Sequence, residues 1–469
     1  MLSRAVLALA GIVVARVLGP EQLGMLTLPV LAVSYLPFVN LGVVDALIRE
    51  LPLLRGRGDQ KLLQDSVNTS ATFLLSAILL LMVCLLFSRS LFPDLLTVDK
   101  LLFTFVVFSV PVALLNRFFY TLAMGYQRFP LISGATISQS IFRAAVVLSL
   151  LALLAPRLQL YAQPFAILLS LVLAVAVFWW HLRPRLRFPL SLPLLRHFIA
   201  TGFPISLYAL FILGLTNGDT FIIGRRFSLE TLGYYQMGNL VRDTLIMLSG
   251  AFASVILPAY ARLYGKSGEN DFLRHKVFSH FYYFLIGGSL LTGLSCMALP
   301  FLVQWLLPEY ALSIPLLQRM ALAVFPFMLT LVFTSYLIVC NRQKLLVLFQ
   351  LVAMAFFFTL DALLVHGDAQ LLLAPLIACS GYTIYYLAVW LLYRRQSGLS
   401  WRFVWTAACG LLPASLFVLT RWIMPAGDSW LYHLQTAAIY LLLNLVLAGL
   451  LLGPWRPRVV FSLRQLRQG

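Results

Sequence analysis

The 469-residue chain predicts an all-α integral membrane protein of about fourteen transmembrane helices: two six-helix bundles in parallel repeat, followed by two more helices. Three observations predict it. Hydrophobic residues make up 61% of the chain and charged residues only 11%, far from the balance of a soluble domain. The apolar residues gather in stretches about as long as a bilayer core requires, roughly 20 residues of helix. Arginine and lysine crowd every second connection between these stretches. A closed barrel, the other spanning solution, would show short segments of period two instead.

Taken in order, the first six spans fall at 4–18, 24–47, 65–87, 101–123, 131–154 and 161–181. The next eight fall at 199–222, 233–258, 277–302, 311–339, 344–366, 370–393, 403–424 and 432–453. The first is short and begins almost at Met1; no small-residue cleavage site precedes a polar domain, so a cleaved signal peptide is not expected. Pro29 and Pro37 interrupt the second span, Pro111 the fourth, Pro204 the seventh, Pro326 the tenth, Pro375 the twelfth and Pro413 the thirteenth. Each removes a backbone hydrogen bond and invites a kink, static or hinged.

Orientation follows from the basic residues. With the N-terminus inside, the inner loops hold Arg49, Arg55, Arg57 and Lys61, then Arg128, then Arg183, Arg185, Arg187 and Arg196. Arg262, Lys266, Arg274, Lys276, Arg342, Lys344, Arg394, Arg395, Arg402, Arg456, Arg458, Arg464 and Arg467 bring this set to 22. The outer connections hold 7: Arg16, Arg89, Lys100, Arg157, Arg225, Arg226 and Arg421. Such a bias places both termini in the cytoplasm. It also explains the net charge of +18, which belongs to loops facing an anionic leaflet and not to nucleic-acid binding. The segments 183–198 and 456–468 mix arginine with leucine and phenylalanine and are expected to lie on the inner membrane surface.

An internal echo divides the chain. ARVLGPEQLGML (15–26) and GRRFSLETLGYY (224–235) align Arg16, Glu21, Leu23 and Gly24 with Arg225, Glu230, Leu232 and Gly233 at an offset of 209. Gln127-Arg128 and Gln343-Lys344 form a weaker pair at 216. Six helices used twice keep one orientation and relate by an axis along the membrane normal. The expected division is an N-terminal lobe 1–182, an amphipathic linker 183–198, a C-terminal lobe 199–393, and 394–469 carrying helices 13 and 14 with the basic tail. Two such lobes enclose a cavity that opens alternately to either side.

The same corner, with NLGVVDALIRE (40–50), GFPISLYAL (202–210), Asp219 and LETLGYY (229–235), resembles the multidrug/oligosaccharidyl-lipid/polysaccharide (MOP) exporter superfamily. Within it the chain is similar to the polysaccharide-transport branch that holds the Wzx-type flippases. The resemblance implies two rocking six-helix lobes in a bacterial inner membrane. It implies as substrate an anionic oligosaccharide on a polyprenyl diphosphate, an O-antigen, capsule or exopolysaccharide unit, turned from the cytoplasmic to the outer leaflet. The partners it implies are membrane lipids and the polymerase and glycosyltransferases of the same pathway.

Charges kept at membrane depth cost at least about 2.5–3.5 kcal/mol each on insertion scales, so they face protein, water or ligand. Guanidinium forks match phosphate oxygens and stay charged when buried. Arg16, Arg49, Arg143 and Arg242, then Arg117 and Arg319, are therefore the candidate ligands of the diphosphate. The competing role is structural: Arg242 paired with Asp219 or Asp361, Arg49 with Glu50 or Asp45, and Arg16 reaching to the interface. Asn40, Asn116, Asn217 and Asn239 are expected to bond neighbouring helices, and Tyr208, Tyr234 and Tyr235 to pack or to stack on sugars.

Two energy sources compete: the membrane potential acting on the anionic headgroup, and antiport of a proton or sodium through Asp219, Asp243 or Asp361. No cofactor or metal is implied, since the five cysteines stand singly and the six histidines do not cluster. Rival transporters are a lipid II flippase and a cation-exporting drug antiporter, the latter needing acidic cavity groups where arginine prevails here. A membrane glycan polymerase or ligase is disfavoured: outer loops are short and neither a phosphate-cradling loop nor a paired-carboxylate motif is present.

Overall fold

The computed structural model describes residues 2–91, 99–184, 186–187, 189–267, 271–340, 342–397, 412–423, 435–444 and 446. Every regular element among them is helical, and eleven stretches are long and apolar enough to cross a membrane. The basic tail and about half of the expected spans 403–424 and 432–453 lie outside the described residues.

The elements in order are α1 (Leu2–Tyr35), a 3-10 turn (Leu36–Asn40), α2 (Val43–Arg57), α3 (Gln60–Leu91), α4 (Lys100–Gly125), α5 (Phe129–Leu153), α6 (Ala162–Leu182) and α7 (Leu192–Asn217). There follow α8 (Asp219–Arg226), α9 (Leu229–Ser267), α10 (Asp271–Leu306), α11 (Ile314–Ala323), α12 (Phe325–Val339), α13 (Gln343–Leu364), α14 (Ala374–Ser397) and α15 (Leu412–Ile423).

Several breaks differ from the apolar pattern, and proline and glycine account for them. The expected first and second spans form one element, α1, divided at Gly19, whose φ of 70° and ψ of 174° lie outside the helical region and are open only to glycine. The expected second span then ends early, because Pro37 begins a 3-10 turn and α2 restarts after Leu41 and Gly42, both in left-handed conformation. The Asn40 side chain closes this break, donating to the Pro37 carbonyl (2.8 Å) and accepting from the Gly42 amide (2.7 Å). Pro326 divides the expected tenth span into α11 and α12. Pro375 and Pro413 stand in the first turns of α14 and α15, where a missing N–H costs nothing.

The chain forms two compact units, Met1–Leu213 with Ser228–Gly233, and Gly214–Phe227 with Tyr234–Gly469. In the first, α4 packs on both α2 and α6: Leu114, Phe118 and Leu122 are buried with Val43, Leu47, Leu51, Ile167 and Phe178. A second core joins Ala10, Val14 and Leu18 of α1 to Ala144 and Val147 of α5 and Ala162 and Ala166 of α6. Small residues at these seams let backbones approach, which matters where lipid supplies no hydrophobic drive between helices.

The repeated corners meet inside this first unit. A Cβ on Gly24 would fall within the van der Waals envelope of the Leu229 carbonyl, and a Cβ on Gly233 within that of the Pro20 carbonyl. Glycine 24 aligns with glycine 233 and residue 20 with residue 229 at the same offset of 209, so the contact is reciprocal, as a two-fold-related pair of corners requires. Gly24→Val is therefore expected to cost about 1–3 kcal/mol by overpacking. A thermal melt in detergent should show the drop, whereas Gly134→Ala, whose Cβ meets nothing within 4 Å, should show none.

In the second unit α12 is enclosed on all sides. Its Phe333 ring lies 4.8 Å from both Phe281 of α10 and Tyr393 of α14, centroid to centroid. The C-terminal segment 435–444 docks on α10 through Ser289: Tyr440 donates to its carbonyl (2.9 Å) and Asn444 to its hydroxyl (2.9 Å).

Candidate functional site

Charged side chains inside the spans are expensive, so what each one touches tells what it is there for. In the first unit, Asp45 sits in the first turn of α2, where the helix dipole favours an anion. Arg117 of α4 reaches it as a two-pronged fork, Nε to Oδ1 at 3.2 Å and Nη2 to Oδ1 and Oδ2 at 3.0 Å each. The guanidinium also lies 4.5 Å from the ring centroid of Phe38. Its donors are thus turned to protein. Glu50, the other acid offered to Arg49, meets His197 of α7 at 3.4 Å. Arg49 lies on α2, with its side chain outside the described residues. Arg16 is exposed on the first arm of α1.

Arg143 differs from these. It stands near the middle of α5 and is half-buried. No described residue gives it a hydrogen bond or an ion pair. Its helical neighbour Ala144 is buried in the seam with α1 and α6, which keeps Arg143 at membrane depth by packing and not by a counter-ion.

The second unit holds a dense polar cluster where α7, α8 and α9 come together. Arg242 of α9 is fully buried; Nη2 donates to Asn217 Oδ1 at 2.8 Å and Nε to Asp243 Oδ1 at 3.3 Å, while Nη1 lies 3.6 Å from Asp219 Oδ2. Asp219 receives the Tyr235 hydroxyl on Oδ2, and on Oδ1 the Thr220 amide at 2.8 Å and hydroxyl at 3.4 Å. Asn239 ties the group to Gln236 (3.2 Å) and to Thr220 (3.0 Å). Asp243 is the exposed member of the set. The structural pairing of Arg242 with Asp219 is thus realised; Asp361, the other acid offered to it, makes no such bond. Arg319 of α11 donates to the Leu372 carbonyl at 2.7 Å. Arg226 donates to the carbonyls of Ala362 (2.9 Å) and Val365 (2.7 Å), closing the C-terminus of α13.

Sequence reasoning weighed Tyr235 as a packing or sugar-stacking residue and did not weigh Thr220 or Tyr382. Tyr235 is buried against Asp219, and Tyr382 lies in the field of Arg242. A tyrosine sixteen residues beyond a buried aspartate carries no pattern that announces this bond, because the break at Gly218 decides it. Cys84, Cys296, Cys340 and Cys379 are in no disulfide, and the described residues contain no group of three or more acidic, histidine or cysteine side chains able to hold a metal.

Residues 13–279 match the family model described as polysaccharide biosynthesis protein, more than half of the chain. The chain belongs to that family. This polysaccharide biosynthesis protein also shares its fold with solved structures of the MOP superfamily. One is an inward-facing multidrug resistance MATE family transporter: TM-score 0.64 and 15% identity, over 84% of this chain and 94% of that one. Another is a point mutant of the Vibrio cholerae MATE transporter VcmN: TM-score 0.60 and 14% identity, over 84% and 94%. A third is the eukaryotic MATE transporter AtDTX14: TM-score 0.55 and 13% identity, over 85% and 97%. No curated protein matches it in sequence. The family of polysaccharide biosynthesis proteins and an all-helical multi-pass membrane fold like that of MATE transporters are thus in place, in keeping with the resemblance that the repeated corner carries.

Proposed function

We propose that this polysaccharide biosynthesis protein is a flippase of the bacterial inner membrane with both termini cytoplasmic. It moves a polyprenyl-diphosphate-linked oligosaccharide from the cytoplasmic to the outer leaflet by alternating access. Arg143 is the observation that carries the reading. An arginine near mid-span with no partner among the described residues has a cost that only water or an anionic ligand offsets. Its planar fork fits diphosphate oxygens bidentately. The family description and the excess of basic residues in alternate loops support the same reading.

Of the other candidates, Arg16 is exposed and makes no hydrogen bond or ion pair to the described residues, at the outer end of the first arm of α1. Arg117, Arg242 and Arg319 serve the headgroup indirectly, by holding the helices on which a site is built. A cation-exporting antiporter is the second reading, favoured by the fold shared with MATE transporters and by the buried carboxylates of Asp219 and Asp361. Against it, Asp45 and Asp219 are already neutralised by arginine.

The test is transport by the purified protein in liposomes, offering a labelled polyprenyl-diphosphate oligosaccharide, lipid II and a lipophilic drug cation in parallel. Translocation of the oligosaccharide lipid, in preference to the other two, is the expected outcome. Movement of the cation alone would replace the flippase with an antiporter, and movement of lipid II alone would change the cargo.

A further inference from the structure

One face of α5 changes character halfway along the helix. Gln139, Arg143, Val146 and Leu150 follow at spacings of four, three and four, so they stack on one side of it. The later pair, Val146 and Leu150, packs against the core shared by α1, α5 and α6. The earlier pair is polar, half-buried, and hydrogen-bonded to no described residue. The buried and half-buried hydroxyls beside it, Ser140 and Thr136, are satisfied within the helix. Thr136 donates to the Ile132 carbonyl and Ser140 to the Thr136 carbonyl, each at 2.8 Å. Asn116 Oδ1 of α4 and Gln163 Oε1 of α6 are sealed in protein without a partner, whereas the amide of Gln139 and the guanidinium of Arg143 open to accessible space.

An unpaired amide at this depth is as poorly placed against lipid as the arginine one turn on. Water or a hydrogen-bonding ligand relieves both. Their chemistries differ, however. A guanidinium has donors only and suits an anion; a primary amide has one accepting oxygen beside two donating N–H groups. An ionised diphosphate can use only the donating half of that amide. A sugar ring, whose hydroxyls donate and accept, uses all of it. Four residues of helix set Gln139 and Arg143 about 6 Å apart along the axis. The part of the cargo that lies next to a diphosphate held on Arg143 is the sugar bonded to it.

We propose that Gln139 binds the first sugar of the cargo, the ring joined to the diphosphate, and so helps decide which glycan is carried. The proposal rests on the flippase reading above and adds a specificity-determining residue to it. On the orientation argued from the loops, α5 runs from the cytoplasm outward, so Gln139 stands on the cytoplasmic side of Arg143. The glycan of a cargo entering from the inner leaflet then extends toward water. The amide donates to one ring hydroxyl and accepts from another. Any polyprenyl diphosphate satisfies Arg143; only one that bears a glycan satisfies Gln139.

Binding of two probes to the purified protein tests this. One is the labelled polyprenyl-diphosphate oligosaccharide; the other is the same lipid with a methyl group in place of the glycan, which keeps the charge. Wild type should bind the first about tenfold tighter, the worth of one or two hydrogen bonds. Gln139→Met keeps the length of the side chain without its amide. It should bring the two affinities together by weakening the first alone, with a melting temperature no lower than wild type. Arg143→Ala should weaken both. A Gln139→Met protein that still prefers the glycan overturns the proposal. So does one that binds both probes less well in equal measure or melts lower, because Gln139 would then hold the helix or Arg143 and not a sugar. A wild type that binds both probes equally removes the sugar site and leaves the flippase reading standing, whereas one that binds neither removes both.

Discussion

Arg143→Ala should lower export of the oligosaccharide lipid about tenfold to a hundredfold, the equivalent of a charged hydrogen bond of about 1.5–3 kcal/mol. Its melting temperature should stay at the wild-type value. The two halves of this expectation share a cause. Arg143 donates to no described residue, so truncation breaks no described hydrogen bond or ion pair. Alanine at this depth also removes a desolvation cost. Arg143→Lys should recover part of the rate, because a point charge still attracts phosphate but cannot form the planar fork. Transport rates in liposomes read beside melting curves check both halves. Full export by Arg143→Ala, with the protein folded, would remove the residue from the headgroup site.

Arg242→Ala should do the opposite and fail through folding. Removing one member of a buried ion pair leaves the other uncompensated, at a cost of about 3–5 kcal/mol. Here the stranded groups are Asp219 and Asn217, both bonded to Arg242 across the join of α7, α8 and α9. The cost should appear as a lowered melting temperature and poor recovery from the membrane. Coupling to Asp219→Asn gives the discriminating measurement. If the two side chains act as one pair, the double variant should be more stable than Arg242→Ala alone, since the buried carboxylate is gone. If Arg242 instead served cargo directly, the double variant would melt no higher than the single one.

These two arginines show what a sequence reveals of a site and where it stops. Both stand at membrane depth in apolar segments, and the cost of charge in lipid marks both as purposeful. Nothing in the spacing separates them. The separation comes from the break at Gly218, which turns Asp219 to face Arg242. It comes also from the lack, among the described residues, of any such acid beside Arg143. Arg117 is a similar case: its partner is Asp45, 72 residues away in the chain and brought within 3.0 Å by the packing of α2 on α4. Asp361 could be named from its position in a span, but that its oxygens meet no hydrogen-bond donor among the described residues while those of Asp219 receive three is a matter of neighbours.

Composition and periodic charge by themselves determined that this is a multi-pass helical membrane protein, because apolar segments of bilayer length have no other stable home. The repeated corner carried the resemblance to the superfamily, and Gly24 and Gly233 in it reflect a close approach that any side chain would prevent. Tertiary structure alone decided where helices break, since a proline at a first turn is harmless and one at a junction ends a span, and neighbouring packing chooses between them. It also decided which charges are spent on the scaffold and which meet no counter-charge among the described residues, because an ion pair depends on distances of a few ångströms between segments far apart in the chain.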